Sequence, residues 1–148
     1  RQMCIRDSLT SARREDTAAA VSRLLDAQQQ LKERIAALGM ANARMRAASF
    51  AARGGNICVF DDVLDDIALR ELVNLLCEKC TGYAAAFSGS DKEGYRYIIG
   101  SRALDLRAMA RDINAGIGGR GGGSSDMIQG RASKSREEIQ KFVESAPV

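Results

Sequence analysis

Histidine is missing from this chain altogether, as is tryptophan, and aromatics make up only 5% of its 148 residues. Without histidine there is no usual general base, no Ser-His or Cys-His nucleophile pair, and no histidine-containing zinc site. No apolar run approaches the roughly 20 residues that a membrane-spanning helix needs, and no secretory core is visible. The expectation is a cytoplasmic chain with no membrane partner. The net charge of +3 is mild, so affinity for nucleic acid must come from a local patch rather than the whole surface. Cysteine is sparse too. Of Cys4, Cys58, Cys77 and Cys80 only the last two lie close, as C-E-K-C, and zinc would need a second such pair. Ordinary reduced thiols are expected rather than a redox couple. By itself the chain is not expected to be an enzyme or to carry a cofactor or metal.

What the chain has in excess is glycine, gathered in Gly116–Gly130 as G-I-G-G-R-G-G-G-S-S-D-M-I-Q-G; six of the first eight residues there are glycine. Glycine reaches positive φ at no steric cost and lets another molecule approach the backbone. It also loses the most conformational entropy on ordering. The run fits a backbone cradle for phosphate or sugar with Arg120 as the charge at its tip. It equally fits a mobile connection from helix to strand. Gly116, Gly118 and Gly121 spell G-x-G-x-x-G, but the dinucleotide fingerprint requires a strand before it, and here a helical pattern precedes. No Gly-Lys-Ser/Thr follows, which excludes a phosphate-binding P-loop and makes nucleotide hydrolysis an unfavoured reading.

In chain order, Arg1–Ser8 (R-Q-M-C-I-R-D-S) matches the translation of a transposon sequencing adapter and is set aside as non-native. The chain is then expected to be the back part of a longer protein. Residues 9–52 form a helical arm, with one helix from about Glu15 to Ser49 rich in good helix formers. Leu24, Leu31, Leu38 and Met45 recur every seven residues, with Val21, Gln28, Ile35 and Asn42 in the intervening register. This is a coiled-coil seam with polar residues at two core positions, which favours a defined pairing. About 35 residues correspond to roughly 50 Å of rod. Leu24, Leu31, Ile35, Leu38, Asn42 and Met45 are the candidate dimer seam. The alternative is a helix lying back on its own domain, and Gly39 is a possible bend.

Residues 53–148 follow as a compact α/β domain of order β-α-β-β-α-β-α. Strand Asn56–Phe60 leads to helix Asp65–Cys80, capped by Asp65, with Ile67, Leu69, Leu72, Val73, Leu75, Leu76 and Cys77 on its apolar face. Tyr83–Ser88 and Tyr95–Gly100 form a hairpin. Helix Asp105–Ala115 turns Leu106, Met109, Ala110 and Ile113 inward, and Met127–Gln129 is a last short strand. Ser135-Arg136-Glu137-Glu138 is a capping box for a helix that buries Ile139, Phe142 and Val143.

Together Tyr95–Gly100, Asp105–Ala115 and the motif G-G-R-G-G-G-S-S-D-M-I-Q-G resemble the DHH-associated C-terminal domain of alanyl-tRNA synthetases and long-form alanyl-tRNA editing proteins. Asp126, Met127, Ile128, Gln129 and Gly130 match the tail typical of those members. DHH-type phosphoesterases share the domain, but usually place a histidine where Ser124 stands. The resemblance covers about Asn56–Phe142, and the helical arm agrees with it. It implies a tRNA-binding, dimer-forming module with tRNA(Ala) as partner and a homodimer as assembly. It also implies that any editing chemistry, with its zinc, belongs to an upstream domain; the long-form editing protein is the preferred parent, ahead of a synthetase. Gly118, Gly119, Arg120, Gly121, Gly122, Gly123, Ser124, Gln129, Arg131 and Lys134 are then the candidate contacts, with Arg136 widening the basic face. Asp126 braces the loop, and Tyr95 and Tyr97 are expected to pack against neighbours. The alternatives are the substrate-gripping domain of a phosphoesterase acting on short oligonucleotides or cyclic dinucleotides, and a purely structural dimeriser.

Overall fold

A computed structural model describes residues 17–147; Arg1–Ser8, read as adapter-derived, lie outside the described residues. The long helix is α1, Thr17–Ser49. The chain divides into two compact units after Leu38. In the first unit the seam residues Leu24, Leu31, Ile35 and Leu38 are 58–66% exposed.

The second unit begins at Gly39 and includes the last three or so turns of α1. These turns present a different stripe to the domain: Ala43 and Ala47 are buried, with Met40 and Phe50 packed beside them. Lys79 Nζ donates to the Ala47 and Phe50 carbonyls at 2.7 and 2.8 Å, placing the positive charge that a helix C-terminus favours. Arg46 pairs with the buried Asp61 carboxylate, which also accepts from the Val63 and Leu64 amides. A helix lying on its own domain is therefore the right description of these turns. Asn42 and Met45 fall among them, Asn42 partly buried and Met45 exposed. Gly39, expected as a bend, lies where a Cβ would touch Ala68 at 3.4 Å.

The domain proper runs β1 (Ile57–Phe60), α2 (Asp66–Cys77), β2 (Ala84–Ser90), β3 (Gly94–Gly100), α3 (Leu106–Ile117), β4 (Gly119–Gly123), β5 (Met127–Ala132) and α4 (Arg136–Ser145). It is an α/β fold built on one five-stranded sheet of order β1-β2-β3-β5-β4. β1 and β2 are parallel, with α2 as the crossover, and the remaining pairs are antiparallel. The helix starts follow their caps: Asp65 accepts from Ala68 N at 2.8 Å, Asp105 from the Arg107 and Ala108 amides, and Ser135 with Glu138 forms the full capping box.

Three expectations need correction. The glycine run is a strand, β4, so the order gains one β element before β5. Helix α2 stops at Cys77 rather than Cys80, and Ile67, expected on its buried face, is 70% exposed. Helix α3 continues to Ile117, whose side chain is fully buried, while Met109 and Ala110 are only partly covered.

Alternation along the strands divides the core in two. Ile57, Val59, Ala84, Ala86 and Ile98 meet Leu69, Leu72, Val73 and Leu76 of α2 on one face. Phe87, Tyr95, Tyr97, Ile99 and Ile128 meet Leu106, Ile113 and Ile117 of α3, and Ile139 and Val143 of α4, on the other. Phe142, expected to be buried, is half-covered; its ring occupies the space above Gly116, where a Cβ would collide with it.

Candidate nucleic-acid interface

Helix α3 ends at Gly118 in the left-handed region (φ 62°), whose amide donates to the Asn114 carbonyl; a residue with a side chain is strained there. Ser133 donates from its amide and its hydroxyl to the Gly118 carbonyl, at 3.2 and 2.8 Å. Lys134 Nζ donates to the Gly116 carbonyl at 2.7 Å. The chain then runs out along the sheet as β4 and returns as β5 through the turn at Ser124–Asp126, where Ser124 N meets the Met127 carbonyl at 2.9 Å. Asp126 anchors this turn through its backbone: its carbonyl accepts from Ser101 N at 3.0 Å, while its carboxylate accepts from the Ser125 hydroxyl.

The register fixes what each side of the hairpin shows. Gly119 lies opposite Ala132, Arg120 opposite Arg131, Gly121 opposite Gly130, and Gly122 opposite Gln129. The bonds at Gly118–Ser133 and Ser124–Met127 make the even-numbered residues of β4 those bonded to β5. Gly119, Gly121 and Gly123 therefore direct their amides and carbonyls outward, along the sheet's free edge. From Arg120 to Gly123 this strand is exposed. The middle outward carbonyl is occupied, because Asn114 Nδ2 donates to Gly121 O at 3.1 Å and Tyr97 Oη donates to Asn114 Oδ1 at 2.6 Å. Burial raises the Tyr97 hydroxyl pKa, and its bond to Asn114 works in the opposite direction.

The same register assembles the positive charge. Arg96 of β3 lies opposite Arg131 of β5, and Arg131 opposite Arg120 of β4. Three arginines thus stand in one cross-strand row, on the face that carries α2. Arg96 is paired with Asp66 at 2.9 Å. Among the described residues Arg120 and Arg131 take part in no ion pair. Like charges directly opposite one another destabilise a sheet, so this row costs the fold something in the absence of an anion. Arg70 of α2 comes to the same face and donates to Gln129 Oε1 at 2.7 Å.

Of the residues expected from the sequence, the structure brings Gly119–Gly123, Arg120, Gln129 and Arg131 together. The glycine run, expected as a loop, is an edge strand. Lys134 is turned away, its ammonium occupied at the end of α3. Arg136 lies over the Phe60 ring, 4.7 Å from its centroid, among the side chains of the opposite face. Tyr95 and Tyr97 are both buried in that core. Arg70 and Arg96 do not belong to the glycine motif. The alternation Tyr95-Arg96-Tyr97 is the sequence signal that Arg96 leaves the tyrosine face.

Among the described residues the three cysteines show no sign of activation. Burial pushes the Cys58 thiol up to about 12, with Glu144 adding to the effect, and the Cys77 thiol up to about 11; Cys80 is raised as well. Among the described residues no group of three or more His, Cys, Asp or Glu side chains could hold a metal ion. No described helix is long and apolar enough to cross a membrane.

No curated protein matches the chain. Among solved structures, the C-Ala domain of Aquifex aeolicus alanyl-tRNA synthetase is similar at 20% identity with a TM-score of 0.45, over 61% of this chain and 83% of that one. The model of the DHHA1 domain matches residues 54–146, which span every strand of the sheet and helices α2 to α4, so the chain belongs to the DHHA1 domain family.

Proposed function

We propose that this chain is the tRNA-binding module of a protein acting on tRNA(Ala), either an alanyl-tRNA editing hydrolase or an alanine–tRNA ligase, with the chemistry carried by another domain. The observation behind this reading is the arginine row Arg96–Arg131–Arg120, set beside a glycine edge whose outward amides carry no side chains. Folded RNA is recognised mainly through its shape, its phosphates and its 2′-hydroxyls. An edge strand of glycines lets a sugar-phosphate backbone approach main-chain donors, while the guanidinium groups provide the bidentate charge that phosphate favours. A second protein strand would also need edge donors and acceptors, but the Gly121 carbonyl is already taken by Asn114. Flanking positive charge is a further obstacle to strand addition. The Asp126-Met127-Ile128-Gln129-Gly130 tail and Ser124 support the alanyl-tRNA branch over the phosphoesterase branch.

The homodimer belongs to the same proposal. It is supported by the apolar seam Leu24, Leu31, Ile35 and Leu38, exposed on α1, and a second copy of the same heptad pattern is its natural cover. Titrating the chain with tRNA(Ala), a short single-stranded oligonucleotide and a cyclic dinucleotide in one salt series tests the function. tRNA(Ala) is expected to bind with a log-log salt slope of roughly 2–3, one unit for each arginine engaged. Binding of the short oligonucleotide or cyclic dinucleotide alone would move the assignment to a phosphoesterase module.

A further inference from the structure

The arginine row borders a cleft with a chemistry of its own. It lies between the first turns of α2 and the sheet, has a volume of about 600 Å³, and is lined by Asp66, Ile67, Arg70, Arg96, Ile98, Gln129 and Arg131 with neighbouring backbone. Cavities of about 300–1,000 Å³ hold small-molecule-sized ligands, and one nucleotide falls within that class. Its floor is apolar where Ile98 lies, and Ile67 stands at its rim, 70% exposed against the helical pattern that would have buried it. A large aliphatic side chain beside two arginines is not explained by the folding of this domain.

Two of the three guanidinium groups are held in place. Arg70 is fixed by Gln129 Oε1 at 2.7 Å, and Arg96 by Asp66 at 2.9 Å. The Gln129 amide nitrogen has no protein partner among the described residues, and Arg131 next to it has no ion pair there. A guanidinium plane fixed at one end is a stacking surface for an unstacked base, and a free amide donor is a reader of its edge.

Building on the tRNA reading above, we propose that this cleft receives the base of one unpaired nucleotide of the bound RNA. The base lies against Ile67 and the Arg70 guanidinium, its edge accepts from the Gln129 amide, and its phosphate rests on Arg131. The module then prefers RNA that offers an extruded nucleotide over a plain duplex of equal charge.

The test uses the full 148-residue chain and two RNA hairpins with the same number of nucleotides, one fully paired in its stem and one with a single-nucleotide bulge. Affinities are read by fluorescence anisotropy at fixed salt for the unmodified chain and for Gln129→Ala, Arg70→Ala and Arg120→Ala. The bulged hairpin is expected to bind about tenfold more tightly, the scale of one stacked base. Gln129→Ala and Arg70→Ala should remove most of that preference by weakening the bulged hairpin several-fold more than the paired one, while Arg120→Ala should weaken both hairpins by the same factor. Equal binding of the two hairpins, or a Gln129→Ala loss of the same size on both, overturns the cleft and leaves the tRNA reading standing. An Arg120→Ala chain that loses nothing on either hairpin brings down the tRNA reading instead.

Discussion

Arg120 and Arg131 lie directly opposite each other on neighbouring strands, and no carboxylate among the described residues pairs with either. Such a pair opposes folding by a few tenths of a kcal/mol, and the cost is offset only when an anion sits between the two charges. Arg120→Ala should therefore move two measurements in opposite directions. tRNA affinity falls and the log-log salt slope flattens by about one unit, while the urea midpoint stays level or rises slightly. An unchanged binding isotherm for this variant would remove the edge strand as the contact.

The reason this row escapes a sequence reading is register. Arg96, Arg120 and Arg131 become neighbours only once β5 is inserted between β3 and β4. Local signals fared better: Asp65, Asp105 and the Ser135–Glu138 box each cap the helix they announce. The glycine run was the hard case. Strands are signalled by β-branched and aromatic residues and glycine by turns, so G-R-G-G-G carries no strand signal of its own. Its order comes from elsewhere in the chain: from β5, and from Asn114 and Tyr97 behind it.

That dependence separates two adjacent glycines. A Cβ on Gly121 would overlap the Gln129 carbonyl and the Tyr97 hydroxyl, whereas a Cβ on Gly122 meets nothing within 4 Å. Gly121→Ala must displace backbone or break the Tyr97–Asn114 link, and is expected to cost about 1–3 kcal/mol. Gly122→Ala should stay within about 0.5 kcal/mol of the parent. Urea unfolding of the two variants decides it, and equal costs would contradict the packing described at Gly121.

The thiols predict an alkaline limit. Burial raises Cys58 to about 12 and Cys77 to about 11 from an ordinary value of 9.0. A group whose folded pKa is raised contributes stability that is fully present below its unfolded pKa and is lost as pH climbs to the folded one. Stability should accordingly decline from about pH 9 to pH 12, and Cys58→Ser, whose hydroxyl does not ionise there, should decline less steeply. Urea midpoints at pH 8 and pH 10.5 give the comparison. The same burial predicts that Cys58 and Cys77 are alkylated slowly at neutral pH in the folded chain and rapidly in urea.

The arm is tested through residues that the domain does not use. Leu24, Leu31 and Leu38 are each more than half exposed, whereas Ala43 and Ala47 further along the same helix are buried in the domain core. Replacing the three leucines with Lys together puts like charges on a seam that a partner helix would have to face. The urea transition of the domain should remain within about 0.5 kcal/mol of the parent, since exposed substitutions rarely do more. Sedimentation equilibrium should meanwhile shift from dimer to monomer. tRNA affinity then separates two designs: it drops if two copies grip one RNA through effective concentration, and holds if each domain binds alone. A parent chain that is already monomeric at concentrations well above its tRNA dissociation constant would remove the seam from the proposal, leaving the arginine row to be judged on its own.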